Sequence, residues 1–282
     1  MTNWSDAYIH ANGINIHYYR TGGDKPQIVF NHGAMDDGLC WTRVVKELED
    51  DFDVIMFDAR GHGLSDSGNG DYSSESRAKD LAEAILALGL EKPVVGGHSL
   101  GADVSMQLAA LYPDIPRAIF LEDPPITMPG EPIFGGEIGQ QGADALKMMV
   151  RFMTVIKILP LSLAKAVAKK GMPDFPDDEI IPWVKSKKRM NKDFIQSMSS
   201  SDTLFSSFDV AKKINIPTLL IYGDRDSGAI VSNEVAQKLA NSIPTLQTVH
   251  LEGANHDIRR ARFDGYMTAL KTFLYETYAM TE

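Results

Sequence analysis

The sequence holds a single cysteine, Cys40, so no intrachain disulfide can form and any site built from several cysteines around zinc or an iron–sulfur cluster is excluded. A reducing, cytoplasmic setting is expected on that ground. The first ten residues include Asp6 and no apolar stretch, so they do not read as a signal peptide. No later run reaches the roughly 18 apolar residues of a membrane helix. Internal repeats and low-complexity tracts are missing too. Basic charge is in short supply: 28 Lys and Arg stand against 38 Asp and Glu, a formal net charge of -10, which repels nucleic-acid phosphate and anionic lipid at long range. Neither nucleic acid nor membrane is therefore expected as a partner. No HxHxDH or HExxH spacing offers a zinc site, and the Gly-rich stretch at 96–103 has no lysine of a phosphate-binding loop.

What the chain does have is 282 residues with 44% hydrophobic content, enough for a large buried core. "YIHANGINIHYYR" alternates apolar residues around Asn12-Gly13 and reads as an opening hairpin. Short β-rich runs follow at 27–33, 53–63, 93–99, 116–123, 216–226 and 246–256, most of them running into polar and glycine residues. Helical patterns lie at 41–50, at 75–88 (Leu81, Ile85 and Leu88, with Gly89 as a stop) and from Leu100 to Tyr112. Strands alternating with helices predict a mostly parallel sheet covered on both faces. The interval 124–210 breaks the rhythm with helical stretches and seven of the 13 methionines. It is expected to be a helical cap inserted after the sixth strand, with 1–123 and 211–282 forming the core domain. Methionine stripes are more often plain core than ligand contacts, although thioethers also suit an adaptable acyl pocket.

Gly97-His98-Ser99-Leu100-Gly101 falls between a strand and an amphipathic helix, where a sharp turn would push the Ser99 hydroxyl out of the backbone. Small neighbours are needed because side chains would clash there. A serine hydroxyl is a poor nucleophile until a base takes its proton. Of seven histidines, His256 alone sits on a loop after the last strand in "EGANHDIRR", able to swing over the C-terminal edge of the sheet. The imidazole in turn needs a carboxylate to hold its tautomer. Asp226, ending "YGDRD", is favoured because it gives the order Ser99, Asp226, His256. Glu122 and Asp123 in "FLEDPP" lie at another strand end and are alternatives, with Asp224 behind them. Two backbone donors for a developing oxyanion are expected at Leu100 and Ala34.

Together these segments resemble the α/β-hydrolase fold superfamily, specifically its capped members with an "HG" oxyanion loop, a "DxRGHGxS" segment (Asp58 to Ser65), a "GHSLG" elbow, a "GxxD" acid and a "GxxH" base. The similarity spans nearly the whole chain outside the cap. It implies an eight-stranded sheet, an acyl-serine intermediate and no cofactor. Two departures bear on the acid: Ser227, Gly228 and Ala229 follow Asp226 where many relatives have proline, and some relatives take the acid from the end of the sixth strand, which matches Glu122 or Asp123. A serine at the elbow weighs against the haloalkane dehalogenase and epoxide hydrolase branches. The expected activity is hydrolysis of a carboxylic ester or lactone of a small, fairly apolar acyl substrate. Thioester hydrolysis, acyl transfer, perhydrolysis and carbon–carbon hydrolysis use the same set, and a non-enzymatic receptor on this fold is the third possibility.

Overall fold

The computed structural model describes residues 4–131, 140–172, 175–197, 205 and 208–279. A hairpin opens the chain: β1 (Ser5–Ala11) and β2 (Ile14–Arg20) pair antiparallel across Asn12 and Gly13, both at positive φ as a type I′ turn requires. Next come β3 (Gln27–Asn31), a 3-10 turn (Gly38–Trp41), α1 (Thr42–Lys46), β4 (Asp53–Phe57), α2 (Ser74–Ala87), β5 (Val94–His98), α3 (Leu100–Leu111) and β6 (Ala118–Glu122). From there to residue 211 the described elements are helices: α4 (Gln140–Ile158), α5 (Leu161–Gly171), α6 (Asp177–Arg189), α7 (Lys192–Ser197) and α8 (Phe208–Ala211). β7 (Thr218–Tyr222), α9 (Asn233–Ser242), β8 (Leu246–His250), α10 (Ile258–Ala261) and α11 (Phe263–Ala279) complete it.

The eight strands lie in the order β1-β2-β4-β3-β5-β6-β7-β8, antiparallel at β1–β2–β4 and parallel from β4 to β8. The chain leaves β3 for β4 on one side and reaches β5 on the other. This reversal opens a crevice outside the carboxyl ends of β3 and β5, the place where an α/β sheet holds its ligand. It is where residues 32–36 and Ser99 emerge.

β4 to β7 are buried at every position, which explains why they read as unbroken apolar runs rather than alternating ones. Val29, Val95, Ile119 and Leu121 face Leu81, Ile85 and Leu108 of α2 and α3, while Ile28, Phe30, Val94 and Phe120 face Trp41, Phe273 and Leu274. Each such side chain contributes about 1.5–3 kcal/mol on leaving water. The helix expected over 41–50 is shorter than its pattern suggested. α1 ends at Lys46, and residues 47–52 turn back through amide bonds to Val44, Val45 and Leu48.

A third apolar cluster joins the helices between β6 and β7 to the crevice. Met153, Ile156, Ala164, Ile180, Trp183 and Met190 pack with Met35 after β3 and Leu100 at the start of α3. Of the seven methionines in 124–210, Met153 and Met190 are thus core, whereas Met148 faces outward, 69% exposed. Met198 lies outside the described residues.

Candidate active site

The elbow around Ser99 is sharp because two glycines let the backbone segments touch. A Cβ on Gly97 would lie 2.2 Å from the Asn31 carbonyl oxygen, and one on Gly101 would lie 2.1 Å from the same atom. β5 and α3 therefore close on the end of β3 more tightly than any side chain allows. Ser99 takes the strain at φ 51° and ψ −116°, a conformation that costs a residue with a side chain about 1–3 kcal/mol. Its N–H donates to the Glu122 carbonyl (2.9 Å) and its carbonyl accepts from Asp103 N–H (3.0 Å), so the corner is locked to β6 and to α3. The N-terminus of α3 adds a favourable field for negative charge beside Ser99.

Across the crevice, two buried imidazoles shape the loop after β3. His32 Nε2 accepts from Ala59 N–H (3.0 Å), so its proton is on Nδ1, which donates to the Gly33 carbonyl (2.7 Å). His62 Nε2 accepts from Met35 N–H (3.1 Å) while its Nδ1–H donates to the Arg60 carbonyl (2.9 Å). Burial, reinforced by His32, pushes His62 down to about 3, so it stays a neutral acceptor. Met35 is held at φ 65°, and its N–H is spent on His62. Among the described residues, neither Ala34 N–H nor Leu100 N–H donates to a protein acceptor. Both expected oxyanion donors thus sit on rigid corners with their N–H groups uncommitted within the protein.

The structure differs from the sequence expectation at the carboxylate. His256 Nδ1 pairs with Asp123 Oδ2 at 2.6 Å. Asp226 sits in a 3-10 turn (Arg225–Ser227) after β7 and is exposed. The physical reason lies in the extra Ser227-Gly228-Ala229. Gly228 takes φ 102°, and Ala229 N–H bonds back to the Asp224 carbonyl (3.1 Å), curling the loop outward. Asp123 is fully buried just past β6, itself at φ 44°. Its Oδ2 also accepts from Ile230 N–H (2.8 Å) and its Oδ1 from Val231 N–H (2.9 Å). The other candidates are engaged elsewhere: Glu122 accepts from Arg259 N–H (2.9 Å) and its guanidinium (3.1 Å), while Asp224 pairs with His250 (2.6 Å) and Gly253 N–H (2.6 Å).

Burial works to lower the His256 pKa, but the bond to Asp123 and the charges of Asp123, Asp257 and Glu122 outweigh it, and the net shift is upward. His98 stands one residue before Ser99. Its Nε2 meets the His256 carbonyl at 2.9 Å and its ring lies 4.5 Å from the His256 ring. A carbonyl can only accept, so the proton is on Nε2. Burial, then the neighbouring His256, drives the His98 pKa well below its ordinary value, keeping it neutral. The site thus holds a polarised imidazole whose backbone is tied to His98, the residue before the strained Ser99, and two open amides, a set suited to acyl chemistry.

Among the described residues, no three His, Cys, Asp or Glu side chains are grouped to hold a metal ion. No helix among them is long and apolar enough to cross a membrane. A family model described as the α/β hydrolase fold matches residues 26–144, a span that includes Ser99 and Asp123. N-formylmaleamate deformylase of Pseudomonas putida is 26% identical over 94% of this chain and 95% of its own length. Epoxide hydrolase 1 of Caenorhabditis elegans is 25% identical, covering 97% of this chain and 71% of its own. The solved structure of E-2-(acetamidomethylene)succinate hydrolase superposes with a TM-score of 0.78 at 22% identity, over 96% of this chain and 99% of that one.

Proposed function

Because the chain belongs to the α/β-hydrolase fold superfamily, whose relatives found here are hydrolases, we propose that it is a serine hydrolase cleaving a small, fairly apolar carboxylic ester or lactone through an acyl-serine intermediate. The observation that carries this reading is the 2.6 Å bond from Asp123 to His256, whose carbonyl is held by His98, the residue before the strained Ser99. Ser99 Oγ attacks the carbonyl carbon as His256 takes its proton, and the oxyanion is received by Ala34 N–H and Leu100 N–H. His256 then gives that proton to the leaving alkoxide. In the second half it takes a proton from water, whose oxygen attacks the acyl carbon and releases the acid, returning the proton to Ser99. Asp123 holds the His256 tautomer and stabilises the imidazolium formed in both halves.

Two relatives bear names that point to N-acyl compounds, the deformylase and the acetamidomethylene hydrolase. The same steps cleave an amide when His256 protonates the departing nitrogen, so amide hydrolysis is the second reading. The epoxide hydrolase relative is a poorer guide to the bond broken: serine opening an epoxide would leave an ether, which water cannot release as it releases an ester. Among apolar groups, Trp183, Met153 and Met190 stand in the cluster next to Leu100 and Met35, in keeping with an apolar acyl group.

The test is a panel of p-nitrophenyl acetate and butyrate, simple lactones and N-formyl and N-acetyl amides, together with fluorophosphonate labelling. Labelling at Ser99 and loss of turnover in Ser99→Ala are expected. Full turnover in that variant would end the proposal.

A further inference from the structure

Charged side chains from three distant parts of the chain meet in a buried cluster behind the loop that carries Ala34. Lys187 of α6 reaches Asp36 with Nζ 2.6 Å from Oδ1, both side chains nearly inaccessible to water. Arg260 and Arg259, just past His256, approach the other oxygen of Asp36 at 3.4 and 3.8 Å. Ser186 Oγ, whose shortest partner is the Trp183 carbonyl of its own helix (2.7 Å), also lies 3.3 Å from the Met35 carbonyl and 3.3 Å from Asp36 Oδ1. Burial alone would raise the Asp36 pKa, but Lys187, Arg260 and Arg259 outweigh it and hold the carboxylate ionised.

Such a cluster is a poor way to make the protein stable. Desolvating a lysine and a carboxylate costs several kcal/mol each, and well-packed apolar residues in their place are often as good or better. A hydrogen-bonded charge pair does, however, fix direction and register, which sliding apolar surfaces do not. Here the direction is specific. Met35 is pinned by its N–H to His62 (3.1 Å), and its carbonyl and the following carboxylate are within reach of α6. Asp36 N–H closes the turn by donating to the Gly33 carbonyl (3.2 Å), so residue 34 is bracketed on both sides.

We infer that the Lys187–Asp36 pair, with Ser186, is a positioning strap through which helix α6 aims the Ala34 amide, so that this helix completes the oxyanion site. The inference rests on the acyl-serine reading for its kinetic consequences and on geometry alone for the strap. Ser186 and Lys187 touch no reacting atom and act through the loop.

The experiment compares wild type with Asp36→Asn/Lys187→Met, which removes both charges together and leaves Arg259 to Glu122 and Arg260 to Glu179 and Asp257. Thermal stability close to wild type is expected. Misaiming one oxyanion donor gives a loss in kcat of about 10- to 100-fold, smaller than the roughly 10²–10³ of outright removal, with KM nearly unchanged. Fluorophosphonate labelling of Ser99 slows in parallel, and amide hydrogen exchange across residues 33–36 speeds up. Ser186→Ala, which deletes a single hydroxyl, gives a smaller kcat loss and keeps the test alive should the double variant fail to fold. Wild-type kcat together with unchanged exchange in either folded variant overturns the strap. A wild type that neither labels nor hydrolyses counts against the acyl-serine reading, and the exchange measurement then decides the strap by itself.

Discussion

Asp123 Oδ2 lies 2.6 Å from His256 Nδ1, joining the end of β6 to the loop after β8 across 133 residues of chain. Asp123→Asn should therefore cut kcat by about 10⁴, because an amide there favours the wrong imidazole tautomer. Asp226→Asn, at an exposed turn, should leave it within about twofold, as surface substitutions generally do. Steady-state kinetics on the best ester of the panel decides between them. The reverse pattern would return the acid to β7.

The raised His256 pKa fixes the sign of the acid limb. A base must be neutral to accept the serine proton, and here the protonated form is favoured relative to a free imidazole. kcat/KM should thus fall as pH drops through a midpoint above the ordinary 6.5. Asp123→Asn removes the largest raising contributions, so its residual activity should show a lower midpoint. A wild-type midpoint at or below the ordinary value is the opposing result.

His98 offers a separate handle, since its Nε2–H holds the His256 carbonyl. His98→Leu removes that donor and its part-buried hydrogen bond, at a cost of about 0.5–1.5 kcal/mol. The His256 loop should loosen, weakening the bond to Asp123 and shifting its Nδ1 proton resonance upfield. His98→Gln retains a donor and should recover most of the turnover. An unchanged resonance in His98→Leu would show that the loop is held without it.

Asp37 makes a stability prediction. Burial, then the charges of Asp58 and Asp36, raises its pKa to about 7, against which the Arg189 contact at 3.3 Å is insufficient. The folded chain thus binds this proton more tightly than the unfolded chain. The resulting stability is full below the unfolded value and is lost as pH climbs toward about 7. Asp37→Asn keeps an oxygen to accept from Leu39 N–H (3.2 Å in the parent). Its Tm should exceed the parent's by several degrees above neutrality and match it in acid, measured by thermal melts across pH.

Where local chemistry decides the structure, the sequence was a good guide. The glycines at 97 and 101 mark the elbow because nothing larger fits against Asn31, and Asn12-Gly13 marks its hairpin because the turn demands positive φ. The buried runs of β4 to β7 announced a sheet covered on both faces. The sequence favours Asp226 over Asp123 because strand ends are legible in it and loop curvature is not. Asp123 and Asp226 each follow a strand of the parallel sheet, and only the outward curl at Gly228 separates them. Lys187 and Asp36 left no signal, since their pairing depends on how a helix 151 residues downstream docks.

The manner in which Asp123 is held has one more consequence. The neighbouring strand loop serves it through two consecutive peptide groups, Ile230 and Val231. An apolar replacement of like volume at Ile230 or Val231, both buried, should thus spare the acid, whereas proline at either position would take away a donor that Asp123 uses.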